Sequence, residues 1–463
     1  MRRAPRLRIQ RRGVHGSAVE TLRARGLVQA VTSDAIGARA RPPAAVYCGV
    51  DPTAESLHLG NMVTLMGLLH FRLAGHRAIP LVGSATGMIG DPSGRSTERT
   101  ALDGAVLARN IAGIEAQLAR FFERGTAYAL RRVPGLAAGA LGEVRVLHNA
   151  DWYRGMGALD FLGDVGRHVR VGAMLARDSV KSRLQSPQGI SFTEFAYQLL
   201  QAYDFWHLYR NHGCRIQLGG SDQWGNITAG TDLIHRLAPA SADKDPAFGL
   251  TIPLLTTASG EKFGKSAGNA VWLDEAKTSP FDVYQFLVKT ADADVERLLK
   301  MLTLVPLPRI AQTMDEHRRA PDRFAAQRLL AAEVTELVHG EAGVQQALCA
   351  TEVLFGGRAG DGLRRFTAQD FASAFARDAR MASAARAAVA GKTIGDIAVL
   401  VGACKSKSEA ARLARGGGLY WNSEPVLDAK WVPSAERGDY LGDGTVGVVR
   451  TGKTNYHLLR LVD

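Results

Sequence analysis

The stretch that organises this chain reads Tyr47-Cys48-Gly49-Val50-Asp51-Pro52-Thr53-Ala54-Glu55-Ser56-Leu57-His58-Leu59-Gly60-Asn61. Residues 44–50 form a short, mostly apolar run, as expected of a strand buried in a parallel sheet. Asp51-Pro52-Thr53 breaks this run, and from Ser56 the apolar residues recur with helical spacing. The sequence therefore predicts a strand, a loop over the sheet edge and a helix that begins at about His58. Ligands bind at such strand ends in open α/β sheets.

The start of that helix is a suitable place for a phosphate group. A helix N-terminus carries free N–H groups and a partial positive charge, and Gly60 lets a flat ligand approach the backbone. Taken alone, however, this stretch is better explained by a His58 that merely caps a buried helix.

A second stretch, Glu261-Lys262-Phe263-Gly264-Lys265-Ser266, follows the apolar run 250–255 in a polar loop. Two lysines on either side of a glycine suit a polyphosphate, although a lysine-rich loop is usually a solvated turn. Two more stretches carry unusual glycine and acid patterns: Gly90-Asp91-Pro92-Ser93-Gly94 and Gly219-Gly220-Ser221-Asp222-Gln223-Trp224-Gly225-Asn226.

His58-Leu59-Gly60-Asn61 and Lys262-Phe263-Gly264-Lys265-Ser266 together resemble the signature pair of class I aminoacyl-tRNA synthetases. The flanking stretches are similar to those of tyrosyl-tRNA synthetases of the bacterial and organellar type, over nearly all of the chain after about residue 20. The resemblance implies a ligase that activates L-tyrosine with ATP, releases pyrophosphate and transfers the tyrosyl group to the 3′ end of tRNA(Tyr). It implies a homodimer, with magnesium accompanying ATP as substrate and no tightly bound cofactor.

Alternating strands and helices up to residue 275 imply an α/β fold with a Rossmann-like, doubly wound parallel sheet. We expect five segments: a leader at 1–20, a catalytic domain with a dimer-interface insertion at 21–275, a helical anticodon-binding domain at 276–358, a linker at 359–391 and a small α+β module at 392–463. The last resembles an RNA-binding module that a ribosomal small-subunit protein shares with these synthetases. Its cations Lys405, Lys407, Arg412 and Arg415 are the predicted tRNA contacts.

The sequence also predicts two strands and two helix starts. Residues 79–82 predict a strand in which Pro80 marks a strand start or an edge, and residues 143–148 alternate as another strand. Asp103 is the predicted cap of a helix that runs toward Phe122. Ser191 and Glu194 predict a capping box at the start of a helix that ends near residue 212.

The net charge of +12 suggests an anionic partner such as nucleic acid, but half of it comes from the leader arginines Arg2, Arg3, Arg6, Arg8, Arg11 and Arg12. An arginine-rich leader without acids is typical of an organellar transit peptide; the alternative is a basic arm that binds RNA directly. We predict the mitochondrial matrix, with a plastid left open. No apolar run is long enough to cross a bilayer, so no membrane is expected. The cysteines Cys48, Cys214, Cys349 and Cys404 form no Cys-x-x-Cys pair, which indicates a reducing compartment and no metal site.

Tyr197, Gln201 and Asp204 lie at i, i+4 and i+7 of the helix that follows Ser191, and therefore on one helical face. By pattern alone, a solvated face and a polar pocket are about equally good explanations. The resemblance implies that Tyr197, Gln201 and Asp91 hold the amino acid's α-ammonium group. It also implies that Tyr47 and Asp204 hydrogen-bond the phenol, with Gly49 and Gln217 completing the pocket.

For ATP, the resemblance assigns one set of residues to the nucleotide: Cys48, Asp51, Pro52, Thr53, His58, Gly60, Asn61, Gly220, Asp222, Gln223 and Lys265. The implied catalytic group is His58, Asn61, Lys262, Lys265, Ser266, Arg95 and Arg99, although the two arginines are equally explained as a surface pair. Thr86, Asn149 and Trp152 are further pocket candidates. Asn61 stands where the family often has histidine.

Two other functions remain open from the sequence. The first is a tryptophanyl-type relative, against which Tyr47 and Asp204 argue. The second is an RNA-binding or splicing cofactor derived from a synthetase, which the intact signature residues disfavour as the sole role.

Overall fold

A computed structural model describes residues 17–39, 42–94, 97, 102–239, 246–260, 263, 265–266, 269–356, 362–376 and 378–463. The chain forms two compact units. The first consists of Met1–Thr278 and Val288–Val338, and the second of Ser279–Leu287 and His339–Asp463. The predicted helical domain at 276–358 is thus divided between the two units.

The first part of the chain alternates strands with helices, as predicted. In chain order its elements are α1 (Ala18–Ala24), β1 (Ala30–Val31), α2 (Ile36–Arg39), β2 (Ala45–Val50), α3 (Leu59–Leu73), β3 (Arg77–Val82), α4 (Gly104–Arg132), β4 (Leu147–His148), α5 (Ala150–Tyr153), α6 (Ala158–Asp164), α7 (Val171–Leu175), α8 (Asp178–Leu184), α9 (Phe192–His212), β5 (Cys214–Gly220), α10 (Trp224–Leu237), β6 (Phe248–Ile252), β7 (Lys265–Ser266) and β8 (Asn269–Ala270).

The remaining chain begins with helices and ends in a small sheet. Its elements are α11 (Pro280–Val288), α12 (Asp292–Leu302), α13 (Leu307–Arg319), α14 (Ala325–Phe355), α15 (Ala368–Ala374), β9 (Met381–Ala385), α16 (Arg386–Val389), α17 (Ile394–Leu400), α18 (Lys407–Arg415), β10 (Leu419–Trp421), β11 (Glu424–Pro425), β12 (Val446–Thr451) and β13 (Asn455–Val462). The α14 run is interrupted at Gly340, whose backbone is not helical.

Six strands form the main sheet in the order β1-β6-β5-β2-β3-β4. The strands from β2 to β6 are parallel to their neighbours, whereas β1 pairs antiparallel with β6. The predicted doubly wound α/β sheet is therefore confirmed, with an antiparallel edge strand that was not predicted. The chain leaves the centre through β3 and β4, then crosses back to β5 and β6, so the order reverses between β2 and β5. A crevice opens at the carboxyl ends of the strands on such a switch point.

The expectation that Pro80 marks a strand start or an edge is wrong. Pro80 lies inside β3, which has β2 on one side and β4 on the other. Arg77 N donates to Ala44 O, and Ala78 N donates to Glu143 O. Alternation then turns the Pro80 nitrogen toward the β4 side, where β4 pairs only with Leu81 and Val82. The missing N–H therefore falls in a gap of the ladder. The predicted strand at 143–148 shortens accordingly to β4 and one bridge at Val144.

Two predicted helix starts are present, and one carries a different partner. Asp103 caps α4 through Ala105 N and Val106 N, and the helix continues ten residues beyond Phe122. Ser191 Oγ accepts from Glu194 N at the start of α9. The Glu194 carboxylate, which the predicted capping box directs back to Ser191, instead accepts from Arg183 Nη2 at 2.6 Å; both side chains are only 1% exposed.

Folded structure begins earlier than the predicted leader boundary at residue 20. Ser17 and Glu20 form a capping box at the start of α1, and Val19 is buried. Residues 1–16, which carry the leader arginines, lie outside the described part of the chain. Across the residues that are described, no helix is both long and apolar enough to cross a membrane.

The second unit is built around a five-stranded sheet in the order β11-β10-β12-β13-β9. One face packs on a core that includes Ile394, Ala410 and Trp421, and the other on a core that includes Phe371 and Leu458. The strand β9 pairs in parallel with β13, although its residues were expected to belong to a linker. The sequence did not predict this strand because Met381–Ala385 reads Met-Ala-Ser-Ala-Ala. These small side chains include none of the β-branched or aromatic residues that are typical of strands.

We predict that Arg25→Met destabilises the first unit. The buried Arg25 guanidinium donates to the carbonyls of Lys300, Thr303 and Val305, at 3.1, 2.9 and 2.8 Å. Leaving a buried carbonyl without a donor costs about 1–3 kcal/mol. We therefore expect the free energy of unfolding, measured by urea denaturation, to fall by about 3 kcal/mol or more.

Arg23→Met is the matched control for this experiment. Arg23 lies in the last turn of α1, two residues before Arg25, and pairs at 3.5 Å with an exposed Asp34. Its loss should therefore change the stability by less than about 1 kcal/mol. Equal effects of the two substitutions would contradict the assigned role of Arg25.

Candidate active site

A cavity of about 410 Å³ opens at the carboxyl ends of β2 and β5. Its wall is built from the β2–α3 loop, the loop after β3, the face of α9 and the β5–α10 turn. The predicted residues that line it are Tyr47, Cys48, Gly49, Asp51, Thr53, His58, Gly60, Asn61, Thr86, Asp91, Asn149, Tyr197, Gln201, Asp204, Gly220, Asp222 and Gln223. The two signals that were far apart in sequence, the β2–α3 stretch and the α9 face, therefore meet in one site.

Several predicted residues are placed differently. Pro52, Trp152 and Gln217 do not line the cavity. Gln217 pairs with Tyr47 across β5 and β2, and its Oε1 lies in a buried position close to Gly230 on α10. Lys262, Arg95 and Arg99 lie outside the described residues. The backbone of Lys265 and Ser266 forms β7, which pairs with β8, and Phe263 of the same loop lines the cavity.

The predicted tRNA contacts lie in the second unit, on α18 and the loop before it. Lys405, Lys407, Arg412 and Arg415 are all exposed. The Lys407 ammonium group pairs with the Asp396 carboxylate, and this hydrogen bond lowers the pKa of Asp396 to about 2. Lys407 is thus already bound to an acid, which makes it a weaker candidate for a phosphate contact.

His58 caps α3. The backbone N–H groups at the start of this helix, which we expected to be free to bind phosphate, already donate hydrogen bonds within the protein. Gly60 N donates to His58 Nδ1 at 3.0 Å, and His58 N donates to Asn61 Oδ1 at 3.1 Å. Leu59 N and Asn61 N donate to carbonyl oxygens of Val271 and His58. The expectation of free N–H groups at this helix start is therefore wrong.

The same cap fixes the state of the His58 ring. Because Nδ1 accepts a hydrogen bond, the proton of a neutral imidazole resides on Nε2. The ring then offers one N–H donor, and the helix N-terminus adds its partial positive charge. Gly60 is required for this arrangement, since a Cβ there would lie only 2.8 Å from the His58 ring. Asn61, which stands where the family often has histidine, completes the cap because its side-chain oxygen accepts a hydrogen bond from His58 N.

The buried end of the cavity is organised around the Asp204 carboxylate. Asn149 Nδ2 donates to Asp204 Oδ2 at 3.1 Å, and Trp152 Nε1 donates to Asp204 Oδ1 at 2.8 Å. Burial raises the pKa of Asp204 to about 7, while these hydrogen bonds act in the opposite direction by favouring the ionised form. Trp152, which does not touch the cavity, therefore positions a residue that does.

The Tyr47 hydroxyl lies in the same buried end and lacks a hydrogen-bond partner among the described residues. The Tyr47 side chain is buried against Phe205, with the ring centroids 5.3 Å apart. Burial raises the pKa of this phenol well above its usual value, so it is neutral. An unpaired buried hydroxyl is costly, which indicates that a ligand group pairs with it.

A chain of hydrogen bonds connects this end to the middle of the site. Asn149 Nδ2 also donates to Thr86 Oγ1 at 2.9 Å, and Thr86 Oγ1 donates to Asp51 Oδ1 at 2.7 Å. Tyr197 OH donates to Asp51 Oδ2 at 2.7 Å. Asp51 was assigned to ATP from the sequence, but here it holds two pocket residues. Gly83 makes room for this carboxylate, because a Cβ there would lie 1.9 Å from Asp51 Oδ1.

A second carboxylate, Asp91, organises the other side of the pocket. Gln223 Nε2 donates to Asp91 Oδ2 at 2.7 Å, and Asn226 Nδ2 lies 3.3 Å from Asp91 Oδ1. Asn226 Nδ2 is also 3.1 Å from Gln201 Oε1. The sequence reasoning missed Asn226 as a site residue. Its spacing from Gln223, three residues on a helix that opens at a strand end, was the available signal.

The site is suited to binding and orientation rather than to covalent catalysis. The Cys48 thiol lines the cavity, but burial raises its pKa to about 12, so it is a weak nucleophile at neutral pH. Over the described ranges, no group of three or more His, Cys, Asp or Glu side chains could hold a metal ion. Carboxylates at both sides of the pocket instead fit a ligand that carries a hydroxyl donor at one end and a cation at the other.

Comparison with known proteins agrees with this geometry. A family model described as tRNA synthetases class I (W and Y) matches residues 39–356. The mitochondrial tyrosine–tRNA ligase of Drosophila melanogaster is 44% identical over 419 residues, which cover 90% of this chain and 87% of that protein. The tyrosine–tRNA ligase of Anaeromyxobacter dehalogenans strain 2CP-1 is 44% identical over 445 residues, covering 96% and 99% of the two chains.

Solved structures agree with the sequence relatives. A C-terminally truncated mitochondrial tyrosyl-tRNA synthetase of Aspergillus nidulans superposes with a TM-score of 0.65 at 36% identity, over 72% of this chain and 93% of that one. The chain therefore belongs to the class I tRNA synthetases of the tryptophan and tyrosine group.

Proposed function

We propose that this protein is a tyrosine–tRNA ligase that acts in mitochondrial translation. The observation that carries the proposal is that the Tyr47 hydroxyl, which has no hydrogen-bond partner among the described residues, and the Asp204 carboxylate both line the buried end of the cavity. A substrate phenol placed there donates a hydrogen bond to Asp204 and accepts one from Tyr47. Relatives named as mitochondrial tyrosine–tRNA ligases in fly, yeast and rat support both the substrate and the compartment.

The same pair distinguishes tyrosine from tryptophan. A phenol is both a donor and an acceptor, whereas an indole N–H only donates. Tryptophan would pair with Asp204 and leave the Tyr47 hydroxyl unsatisfied in a buried position, at a cost of about 1–3 kcal/mol. The tryptophanyl alternative is therefore disfavoured by the orphaned hydroxyl itself.

Asp91, Gln201 and Tyr197 form the acceptor group for the substrate ammonium. Gln223 and Asn226 donate hydrogen bonds to Asp91 and hold its carboxylate in the cavity wall. Tyr197 is fixed through Asp51, and burial raises the pKa of its phenol well above the usual value, so it stays neutral. These contacts orient the α-carboxylate toward the β2–α3 loop.

The first reaction step then needs little acid–base catalysis. The amino-acid carboxylate is already ionised at neutral pH, and it attacks the α-phosphorus of ATP, which enters with magnesium as its substrate form. Pyrophosphate leaves, and the adenylate stays bound. The protein contributes positioning and stabilises the growing charge on the phosphate oxygens. The His58 Nε2–H and the family's Lys262, Lys265 and Ser266 supply the donors, with Arg95 and Arg99 as candidates for the departing pyrophosphate.

In the second step a ribose hydroxyl of the terminal tRNA adenosine attacks the mixed anhydride and releases AMP. The cations of the second unit are proposed to hold the tRNA. The leader arginines at residues 2–12 are proposed to direct mitochondrial import.

A homodimer is part of the proposal, and one segment of the first unit supports it. The helices between β4 and the start of α9 expose large apolar side chains: Leu159 (85%), Val171 (61%), Leu162, Leu175, Leu184 and Phe192 (75%). Exposed apolar side chains concentrated in one segment mark an interaction surface. We assign to this segment the dimer-interface insertion that the family resemblance implies within residues 21–275.

The direct test is amino-acid-dependent ATP–pyrophosphate exchange with all twenty amino acids. We expect tyrosine to support exchange and phenylalanine and tryptophan to be rejected. Tyr47→Phe should reduce the tyrosine-over-phenylalanine preference by about 0.5–1.5 kcal/mol, or roughly 2- to 13-fold, because one neutral hydrogen bond is lost. Tyr203→Phe, on α9 but outside the cavity wall, is the control. An unchanged preference in Tyr47→Phe would remove the basis for choosing tyrosine.

The tyrosine preference should also depend on pH. Burial raises the pKa of Asp204 to about 7, above the usual carboxyl range, with a further upward contribution from Asp51. The ionised acceptor is therefore fully present only above about pH 7 and is lost as the pH falls through it. We expect the ratio of kcat/KM for tyrosine to that for phenylalanine to decrease between pH 8 and pH 6. Asp204→Asn should flatten this profile, whereas a flat profile in the wild-type enzyme would refute the role of Asp204.

The dimer is tested by charge substitution on the exposed segment. Leu159→Asp combined with Phe192→Asp should convert a dimer into a monomer in analytical ultracentrifugation, because a carboxylate would be buried at the interface. Leu130→Asp is the control, since Leu130 is a partly exposed apolar residue on α4, outside this segment. A wild-type protein that is monomeric at micromolar concentration would overturn the dimer proposal.

A further inference from the structure

One end of the sheet in the second unit brings together cations from separate parts of the chain. Gly452 N, in the β12–β13 turn, donates to Gly418 O at 2.8 Å. Gly418 lies three residues after the end of α18, and its own N–H donates to Leu413 O on that helix. The turn that carries Lys453 therefore lies beside the last turn of α18, which carries Arg412 and Arg415.

An aromatic and cationic stack lies at the same end. Tyr420 pairs with Arg450 across β10 and β12, and Arg450 pairs with Tyr456 across β12 and β13. The Arg450 guanidinium carbon lies 3.4 Å from the centroid of the Tyr420 ring and 5.9 Å from that of Tyr456. Arg450 Nη1 also donates to Gly452 O at 2.6 Å, which ties the stack to the turn. Tyr420, Arg450, Lys453, Arg412 and Arg415 are called the stack surface below.

The stack is anchored in the core and opens toward solvent. Tyr456 is buried and packs in the core on one face of the sheet. Tyr420 and Arg450 are only partly buried. Leu419 and Trp421, which flank Tyr420, point to the core on the opposite face. The guanidinium is thus held flat on a fixed ring, with its position set by strand pairing rather than by a flexible loop.

The cations of the stack surface have no carboxylate partner within the described parts of the chain. Arg412, Arg415, Arg450 and Lys453 make no ion pair there, whereas other cations of this unit do. Lys407 pairs with Asp396, Arg437 with Asp439, and Arg380 with Asp378. Glu424, on the edge strand, pairs with Trp421 and so belongs to the other face. The positive charge at this end is therefore uncompensated.

This combination matches the chemistry of an unpaired nucleotide. Bases that are splayed out of a helix stack on aromatic rings and on arginine planes, and neighbouring cations bind the phosphates. A duplex would satisfy the cations but would offer no base to the stack. An acidic peptide would pair its carboxylates with the cations, but this pairing would not use the face of the Tyr420 ring.

We propose that the stack surface binds RNA at an unpaired nucleotide, which deepens and rests on the proposed tRNA ligase function. The base stacks on the Arg450–Tyr420 pair, and the cations at the end of α18 and on the β12–β13 turn hold the adjacent phosphates. The contact thus lies at the C-terminal end of α18. It is separate from the start of that helix, where Lys407 is paired with Asp396.

The test uses the full-length protein and uncharged tRNA(Tyr), with binding measured at several salt concentrations. Loss of one base stack costs about 1–3 kcal/mol, so Tyr420→Leu should weaken binding about 5- to 150-fold. Because no phosphate contact is removed, the slope of log affinity against log salt should stay unchanged. Lys453→Gln should weaken binding and lower that slope by about 0.7–0.9.

Conservative variants separate stacking from charge and from folding. Tyr420→Phe keeps the ring and should bind within about twofold of wild type. Arg450→Lys keeps the charge but loses the plane, so it should weaken binding with little change in slope. Arg437→Gln, which removes a cation already paired with Asp439, should bind like wild type. All variants should retain tyrosine-dependent pyrophosphate exchange.

The outcomes are decisive in both directions. Wild-type binding by Tyr420→Leu or by Arg450→Lys would show a purely electrostatic surface and would overturn the proposal. Equal affinity for a perfect duplex of the same length would do so as well. If exchange with tyrosine is intact while these variants bind normally, only this inference fails. If the wild-type protein shows no tyrosine-dependent exchange, the proposed function itself fails.

Discussion

The buried Asp204 carboxylate is the constraint on which the rest of the site depends. A carboxylate in this position must find hydrogen-bond donors or lose its charge, and its donors come from Asn149 and Trp152. Asn149 then fixes Thr86, and Thr86 fixes Asp51. The need to satisfy one acid therefore holds α9, the start of α5, the loop after β3 and the end of β2 in a single arrangement.

Features that depend on local spacing could be predicted from the sequence. The strand–loop–helix at β2 and α3 follows from a change in apolar periodicity. The spacing of Tyr197, Gln201 and Asp204 places them on one face of α9, but only the family resemblance indicated that this face is a pocket and not a solvated surface. The partners of these side chains could not be predicted in the same way. Asn149 and Asp204 are 55 residues apart, and Asn226 and Asp91 are 135 apart. Only the sheet order brings them together.

The local expectations that failed did so because tertiary contacts offered a stronger partner. Glu194 is a suitable capping-box acid by spacing, but its carboxylate forms a buried ion pair with Arg183 instead. Proline is rare in internal strands because it has no N–H to donate. Pro80 is tolerated in β3 because β4 does not pair with this position. The small side chains of β9 carry no strand signal of their own, and pairing with β13 supplies it. In each case the sequence rule was sound and the competing contact was not visible in sequence.

The start of α3 carries a structural cap at the residue for which we propose a phosphate contact, His58. If the backbone N–H groups were the phosphate donors, they would have to be free, but Leu59, Gly60 and Asn61 all donate within the protein. The cap nevertheless leaves the helix dipole intact, and it fixes the His58 ring with its proton on Nε2. In the proposed complex with ATP, the triphosphate would therefore face a His58 ring of fixed orientation in the positive field of a helix end. Such a contact would need no reorientation of the backbone, which is the kind of preorganisation that stabilises charge developing on a phosphate.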